Sequence, residues 1–182
     1  MRRISFVVVL CLGFGSWMKA TAGDSLWLDI PFVKQDSEGC GAASMAMVMQ
    51  YWEKQKGRSP DAASDVNQIQ RALHSRRAHG IYASEMQKYL RQNGFETFAF
   101  SAGWSDLRHH IEKGRPLIVA VKTAGGALHY VVVSGIDDEH HGVLVNDPGR
   151  RKLLQYDRAD FERDWSATAN WMLLALPRGS AS

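Results

Sequence analysis

The stretch Gln35-Asp-Ser-Glu-Gly-Cys-Gly-Ala-Ala-Ser44 places a cysteine at the start of an apolar run. Small and apolar residues recur after Cys40 at spacings of three and four, which predicts a buried helix from Cys40 to near Gly57. A cysteine at a helix N-terminus lies beside unpaired backbone N–H groups, and these stabilise a thiolate. The stretch therefore predicts that Cys40 is a nucleophile rather than a packing residue.

The first 22 residues have the three parts of a secretory signal peptide. Two arginines precede an apolar run at 4–17, and the small residues 20–22 follow as a cleavage site. We expect cleavage before Gly23, which leaves Cys40 as the only cysteine of an exported protein. The apolar run is short for a spanning helix, so retention as an anchor is the lesser alternative. We expect the mature protein in the periplasm, with release from the cell as the alternative.

The charge of the chain is concentrated in this N-terminal segment. The whole sequence has 22 basic and 19 acidic residues, a net charge of +3. Three basic residues and no acidic ones lie in residues 1–22, so residues 23–182 have no net charge. Balanced charge gives no whole-chain argument for nucleic acid or an anionic membrane as a partner. We expect residues 23–182 to form one monomeric domain without stable membrane insertion.

Helical patterns dominate the first half of the mature chain and short apolar strands the second half. Residues 26–33 are predicted to be extended, as an edge strand or approach segment, because they contain Pro31. After the Cys40 helix, the patterns predict helices at 59–74, 84–90, 105–113 and 157–165. They predict strands at 95–100, 117–121, 129–133, 143–145 and 171–176. This order predicts an α+β fold in which helices pack on a mainly antiparallel sheet.

Three further residues supply the other parts of a thiol protease. His129 begins a predicted strand, which places its ring at the edge of the sheet. Asp147 ends the next strand, so a hairpin can bring its carboxylate beside the imidazole to orient it. Gln35 has a side-chain amide that can stabilise an oxyanion together with the N–H of Cys40. A nucleophile, a base, an orienting acid and an oxyanion donor are together the requirements of thiol catalysis.

Candidate substrate-binding residues are less specific. Gly39 and Gly41 flank the nucleophile and would let a substrate backbone approach closely, and Trp104 and Trp165 are candidates to line a groove. The pairs His109-His110 and His140-His141 invite a metal interpretation, but adjacent side chains point apart, so we expect no metal and no other cofactor. Taken singly, each candidate has an ordinary structural explanation, and the functional inference depends on their occurring together.

Three motifs connect the chain to a known family. Gln35 to Met47 around the cysteine, His129-Tyr-Val-Val-Val-Ser-Gly135, and Asn146-Asp147-Pro148 resemble the bacteriocin-processing, double-glycine leader peptidases, a family of papain-like cysteine proteases. The resemblance extends over about residues 30–165 and includes stand-alone exported relatives. It implies a papain-like fold and cleavage of a peptide bond. It also implies that Cys40 is the nucleophile, His129 the base, Asp147 the orienting residue and Gln35 part of the oxyanion hole.

The secretory signal separates this sequence from the best-known members of that family. Those members form the N-terminal part of peptide-exporting ABC transporters and act on the cytosolic side. We therefore expect an exported polypeptide as substrate and a secretion system as a candidate partner. The resemblance implies cleavage after Gly-Gly or other small residues. The alternatives are a non-catalytic peptide-binding module or secretion chaperone that keeps the cleft, and acyl transfer to another acceptor.

Overall fold

The structure is a computed structural model that describes residues 26–179. The predicted signal peptide and its cleavage before Gly23 lie outside these described residues. The helices are α1 (Cys40–Gln55), α2 (Val66–Leu73), α3 (Ala83–Gln92), α4 (Trp104–Glu112) and α5 (Arg158–Ser166), with a short 3₁₀ turn at Ala62–Ser64. The strands are β1 (Leu26–Trp27), β2 (Phe95–Ser101), β3 (Leu117–Lys122), β4 (Leu128–Asp137), β5 (Gly142–Asn146), β6 (Leu154–Asp157) and β7 (Trp171–Pro177).

The strands form one antiparallel sheet with the order β2-β7-β3-β4-β5-β6, and β1 pairs with the end of β4. Helix α1 packs on one face of this sheet with α2 and α3, while α4 and α5 cover the other face. The prediction of an α+β fold with helices on an antiparallel sheet is confirmed.

Strand β4 shows why the sequence of the central strands is apolar without alternation. Tyr130 and Val132 face the layer that contains α1, whereas Val131 and Val133 face α4 and α5. A strand covered on both faces reads as a continuous apolar run, because both sets of side chains are removed from water. Helices on both faces of the sheet therefore bury β4, and His129 lies near its less buried N-terminal end.

Helix α1 is buried along nearly its whole length between the sheet and the other helices. Its apolar side chains include Met45 and Met47, which are fully buried. Burial of a side chain of this size stabilises the fold by about 1.5–3 kcal/mol, so α1 is fixed firmly against the sheet. This fixes the position of the helix N-terminus, where Cys40 lies.

The predicted helix boundaries are wrong in two places. Helix α2 begins at Val66 and not at Ser59, because Asp61 caps the 3₁₀ turn and Asp65 caps α2 by accepting from the N–H of Gln68 at 2.8 Å. Helix α3 begins at Ala83 without a side-chain cap, so Ser84 lies inside its first turn. The last helix, in contrast, begins directly after Asp157, whose carboxylate caps it as expected.

The N-terminal segment agrees with its prediction, whereas one strand was not predicted. Residues 26–33 pair with the sheet at Leu26–Trp27, the N–H of Leu28 donates to the carbonyl of Ser134 at 2.7 Å, and the remainder is an approach loop to the cysteine. Strand β6 was not predicted and pairs with β5 at the edge of the sheet. Within residues 26–179, none of the helices combines the length and apolar character needed to cross a bilayer.

Candidate active site

Cys40 lies at the first position of α1 as a partly exposed free thiol. The residue before it, Gly39, has no side chain to cap the helix, so the first backbone N–H groups of α1 are left to face the thiol, and that of Gly41 bonds it. These groups and the helix dipole favour negative charge at the thiol. The start of α1 is therefore suited to stabilise a thiolate and a nearby oxyanion.

His129 and Asp147 form an ion pair beside this helix start. The Nε2 atom of His129 lies 2.8 Å from Oδ1 of Asp147, and their side chains are only 17% and 7% exposed. Asp147 also accepts the backbone N–H of Gly149 at 2.9 Å, which fixes the carboxylate. Because Nε2 is engaged with the acid, Nδ1 of the imidazole is the atom left to face the thiol.

The pairing of β4 with β5 brings these two residues together. Val132 of β4 pairs with Asn146 of β5, so the next residue, Asp147, lies opposite Val131. His129 is two residues before Val131 on β4 and therefore points to the same face of the sheet. Diagonal neighbours on one face of an antiparallel pair are within reach of long side chains. The buried Asn146 holds the turn by accepting the N–H of Leu153 at 3.0 Å.

The three side chains shift one another's protonation. Burial opposes ionisation of Cys40, but its hydrogen bonds with His129 and the backbone of Tyr130, and the charge of His129, lower the pKa of the thiol. Burial disfavours the imidazolium, but the hydrogen bonds with Asp147 and Cys40 raise the pKa of His129 to about 9. Burial raises the pKa of Asp147, but the hydrogen bond and charge of His129, the N–H of Gly149 and the charge of Arg150 together outweigh this and lower it. The site therefore favours a thiolate beside an imidazolium and a carboxylate.

Gln35 lies between the cysteine loop and the turn that follows Asp147. Its backbone N–H donates to the carbonyl of Pro148 at 3.0 Å, and its side chain lies over Gly149, where an added Cβ would be 3.4 Å from Oε1 of Gln35. Oε1 is buried and has no hydrogen-bond partner within residues 26–179. An unpaired buried polar atom costs about 1–3 kcal/mol and calls for a functional explanation. Oε1 is an acceptor, so the oxyanion donor proposed from the sequence is the other end of the carboxamide, Nε2.

Glu38 supports the same loop, and sequence reasoning did not identify it. Its backbone is left-handed, with φ at 56°, and its carboxylate lies 2.8 Å from Nε2 of His74 and 2.9 Å from Nδ1 of His79. Hydrogen bonds from His79 and His74 lower the pKa of Glu38. These contacts tie the cysteine loop to the segment between α2 and α3. No sequence pattern pointed to them, because 36 residues or more separate the partners.

The structure gives Gly39 and Gly41 a packing role. Both are buried. A Cβ at Gly39 would be 3.1 Å from the backbone oxygen of Asp36, and a Cβ at Gly41 would be 3.2 Å from Cβ of Ile81. Each glycine therefore makes room for the protein's own atoms, and the expectation that they also admit a substrate backbone stays a prediction.

The tryptophans predicted to line the groove lie on the other side of the sheet. Trp104 begins α4 and packs against Phe161 with the guanidinium of Arg158 over its ring. Trp165 is 1% exposed in the core beneath α5. The structure does not bring either of them together with Cys40. Trp165 is too buried to line a groove, which corrects that prediction, and Trp104 packs on the face of the sheet opposite α1.

An apolar groove of about 270 Å³ begins at Tyr130. Tyr130 follows His129 and bonds the thiol through its backbone. The groove is lined by Ala83, Ala120, Lys122, Leu128, Tyr130, Ala167, Thr168 and Trp171. Sequence reasoning did not identify it, because its residues come from α3, three strands and the turn after α5. Within the described residues, no group of three or more His, Cys, Asp or Glu side chains is placed to bind a metal ion.

Comparison with known proteins now identifies the family. The sequence model of the Peptidase_C39 like family matches residues 27–172. This chain belongs to the Peptidase_C39 like family. The transport/processing ATP-binding protein ComA of Streptococcus pneumoniae (strain ATCC BAA-255 / R6) is 30% identical over 137 residues. That match covers 75% of this chain but only 18% of ComA, so the chain spans less than a fifth of this relative.

Solved structures show the same fold. The peptidase domain of Streptococcus ComA, a bi-functional ABC transporter involved in quorum sensing, superposes with a TM-score of 0.63 at 22% identity, covering 81% of this chain and 98% of that domain. A double glycine motif protease from an AMS/PCAT transporter, solved with its leader peptide, gives 0.62 at 22% identity, covering 83% and 94%. The chain is a C39-type cysteine peptidase, which confirms the predicted family and enzyme class.

Proposed function

We propose that this peptidase is exported and hydrolyses a peptide bond in a secreted or periplasmic polypeptide, with Cys40, His129 and Asp147 as its catalytic triad. The observation that carries the assignment of the triad is the 2.8 Å ion pair of His129 and Asp147 beside a thiol whose pKa it lowers. The proposal of export rests on the secretory pattern of residues 1–22.

In this mechanism the Cys40 thiolate attacks the carbonyl carbon of the scissile bond. The oxyanion accepts hydrogen bonds from the N–H of Cys40 and the side-chain amide of Gln35. The imidazolium of His129 gives its proton to the leaving nitrogen as the C–N bond breaks, which leaves a thioester on Cys40. Water then attacks the thioester with His129 as base, and the acid product and the thiolate are released. Asp147 orients the imidazole and stabilises its charge throughout.

The apolar groove at Tyr130 is the proposed site for substrate residues that precede the scissile bond. It starts beside the thiol, where the acyl half of the substrate becomes attached, and its walls are mainly apolar. Relatives described as double glycine motif proteases support a preference for small residues at the bond itself. We therefore expect a substrate with apolar residues, which fit the groove, upstream of a small residue such as glycine, which the relatives suggest.

The test compares exported proteins in cells with the wild-type protein, the Cys40→Ala variant and no protein. New N-termini that appear only when Cys40 is present would identify substrates. Export is tested separately by fusing residues 1–22 to a reporter protein and measuring whether the reporter is secreted. Processing that survives in Cys40→Ala would refute catalysis and favour the peptide-binding module. Transfer of the acyl group to an amine in place of water would favour the acyltransfer alternative.

A further inference from the structure

A second cleft lies beside the catalytic histidine. It has a volume of about 580 Å³, roughly twice that of the apolar groove, and His129 and Asp147 form part of its wall. It lies between the β3–β4 hairpin and α5. The other lining residues are Val121, Lys122, Thr123, Ala124, Val131, Arg150, Tyr156, Arg163 and Asp164. Hydrolysis at Cys40 uses His129 and Asp147, but it gives no role to the other residues of this cleft.

Two cations in this cleft lack an acidic partner within residues 26–179. Lys122 lines both this cleft and the apolar groove, so it lies at the boundary between them. Among the described residues, its ammonium donates only to the carbonyl of Gly126, at 3.0 Å. Arg150 is exposed and forms no ion pair in the described part of the chain. Burial raises the pKa of Asp147, and the bond with His129 is the largest effect that lowers it. The charge of Arg150 is near enough to lower this pKa further.

The third cation of the cleft is already neutralised. Arg163 is ion-paired with Asp160 and with Asp164, at 3.0 Å from the latter. Asp164 also accepts the hydroxyl of Tyr156 at 2.5 Å. Within residues 26–179, the only other acid lining the cleft is Asp147, which is engaged by His129. The described part of the cleft therefore presents two positive charges without an acidic partner, beside the apolar side chains of Val121 and Val131.

The direction of proton transfer assigns this cleft to one half of the substrate. The acyl half stays on Cys40, whereas the leaving amine must contact the imidazole of His129 to receive its proton. The residues after the scissile bond therefore depart past His129, where the cleft begins. We propose that Lys122 and Arg150 select a substrate with an aspartate or glutamate within the first few residues after the scissile bond. This inference rests on the proposed peptidase function.

The test uses a library of bacterial proteome peptides and identifies cleavage sites by mass spectrometry. We expect acidic residues after the bond to be enriched by about 5- to 10-fold for the wild-type protein, since exposed ion pairs contribute up to about fivefold each. The enrichment should disappear in a Lys122→Met/Arg150→Gln double variant and decrease at high salt. Neutral peptides in the same digest serve as the reference for each variant, so a general loss of activity does not affect the comparison.

A matched control is Lys113→Met, which removes an exposed lysine beside Gly114. Gly114 accepts the hydroxyl of Tyr51 at 2.8 Å, and Tyr51 lies about 16 Å along α1 from Cys40. We expect this variant to keep the acidic preference. Cleavage without acidic enrichment, or enrichment that survives in the double variant, overturns this inference alone. Enrichment tied to the peptide's own C-terminus assigns the cleft to a terminal carboxylate and overturns the side-chain preference. Absence of any Cys40-dependent cleavage overturns the proposed function itself.

Discussion

Replacement of Asp147 by Asn should narrow the pH range in which the thiolate and imidazolium coexist. The structure raises the pKa of His129 from 6.5 to about 9, which is equivalent to about 3 kcal/mol of preference for the imidazolium at about 1.4 kcal/mol for each pH unit. Burial opposes this rise, and the bonds with Asp147 and Cys40 produce it. An Asn oxygen can still accept a hydrogen bond from His129, but the negative charge that makes the Asp147 contribution the larger of the two is lost.

The sign of the effect follows from the direction of the shift. A histidine whose pKa is raised by folding contributes stability that is complete below 6.5 and is lost as the pH rises through about 9. In Asp147→Asn, we expect this alkaline limit to move down by at least about one pH unit. The fraction of Cys40 present as thiolate near pH 8 should fall with it, because the imidazolium stabilises the thiolate.

The assay is an NMR titration of the His129 imidazole together with the pH dependence of iodoacetamide alkylation at Cys40, read by mass spectrometry. The matched control is Asp137→Asn, which removes an acid 2.9 Å from Nδ1 of His140. That pair lies at the far end of β4, about 26 Å from His129, and should leave the titration of His129 unchanged. An alkaline limit in folded Asp147→Asn equal to that of the wild type would refute the assigned cause.

Three other substitutions separate catalysis from packing. Gln35→Ala should lower kcat by about 10²–10³-fold while leaving Cys40 alkylation unchanged, because it removes an oxyanion donor but not the thiolate pair; equal losses in both would contradict that role. Gly41→Ala should lower the free energy of unfolding in urea by about 1–3 kcal/mol, because the added Cβ would be 3.2 Å from Ile81. Gly125→Ala is the control, because an added Cβ there has no neighbour closer than 3.9 Å. Glu38→Gln should lower the Tm relative to the control Glu139→Gln, because it removes the charge that holds both histidines. The difference in Tm should shrink below pH 4.5, because the stability contributed by a carboxylate with a lowered pKa is lost as it becomes protonated.

The polar residues of the site could be predicted because each belongs to a local pattern. Cys40 precedes a helix, His129 begins a strand and Asp147 ends one, and each place restricts where the side chain can point. Pairing of β4 with β5 then brings the acid to the base. The start of α2 could not be predicted from the Ser59-Pro60 pattern, because the caps downstream at Asp61 and Asp65 determine it.

The sequence by itself determined the α+β class, the helix that begins at Cys40 and the identity of the candidate triad. These depend on periodicity and on neighbours along the chain. Only the tertiary structure decided what the glycines and Trp104 contact, since their partners are remote in sequence. It also decided that Glu38 supports the cysteine loop, and that two cations without an acidic partner in residues 26–179 line the cleft beside His129. Such arrangements depend on which faces of distant elements meet, and packing of helices on both sides of the sheet determines this.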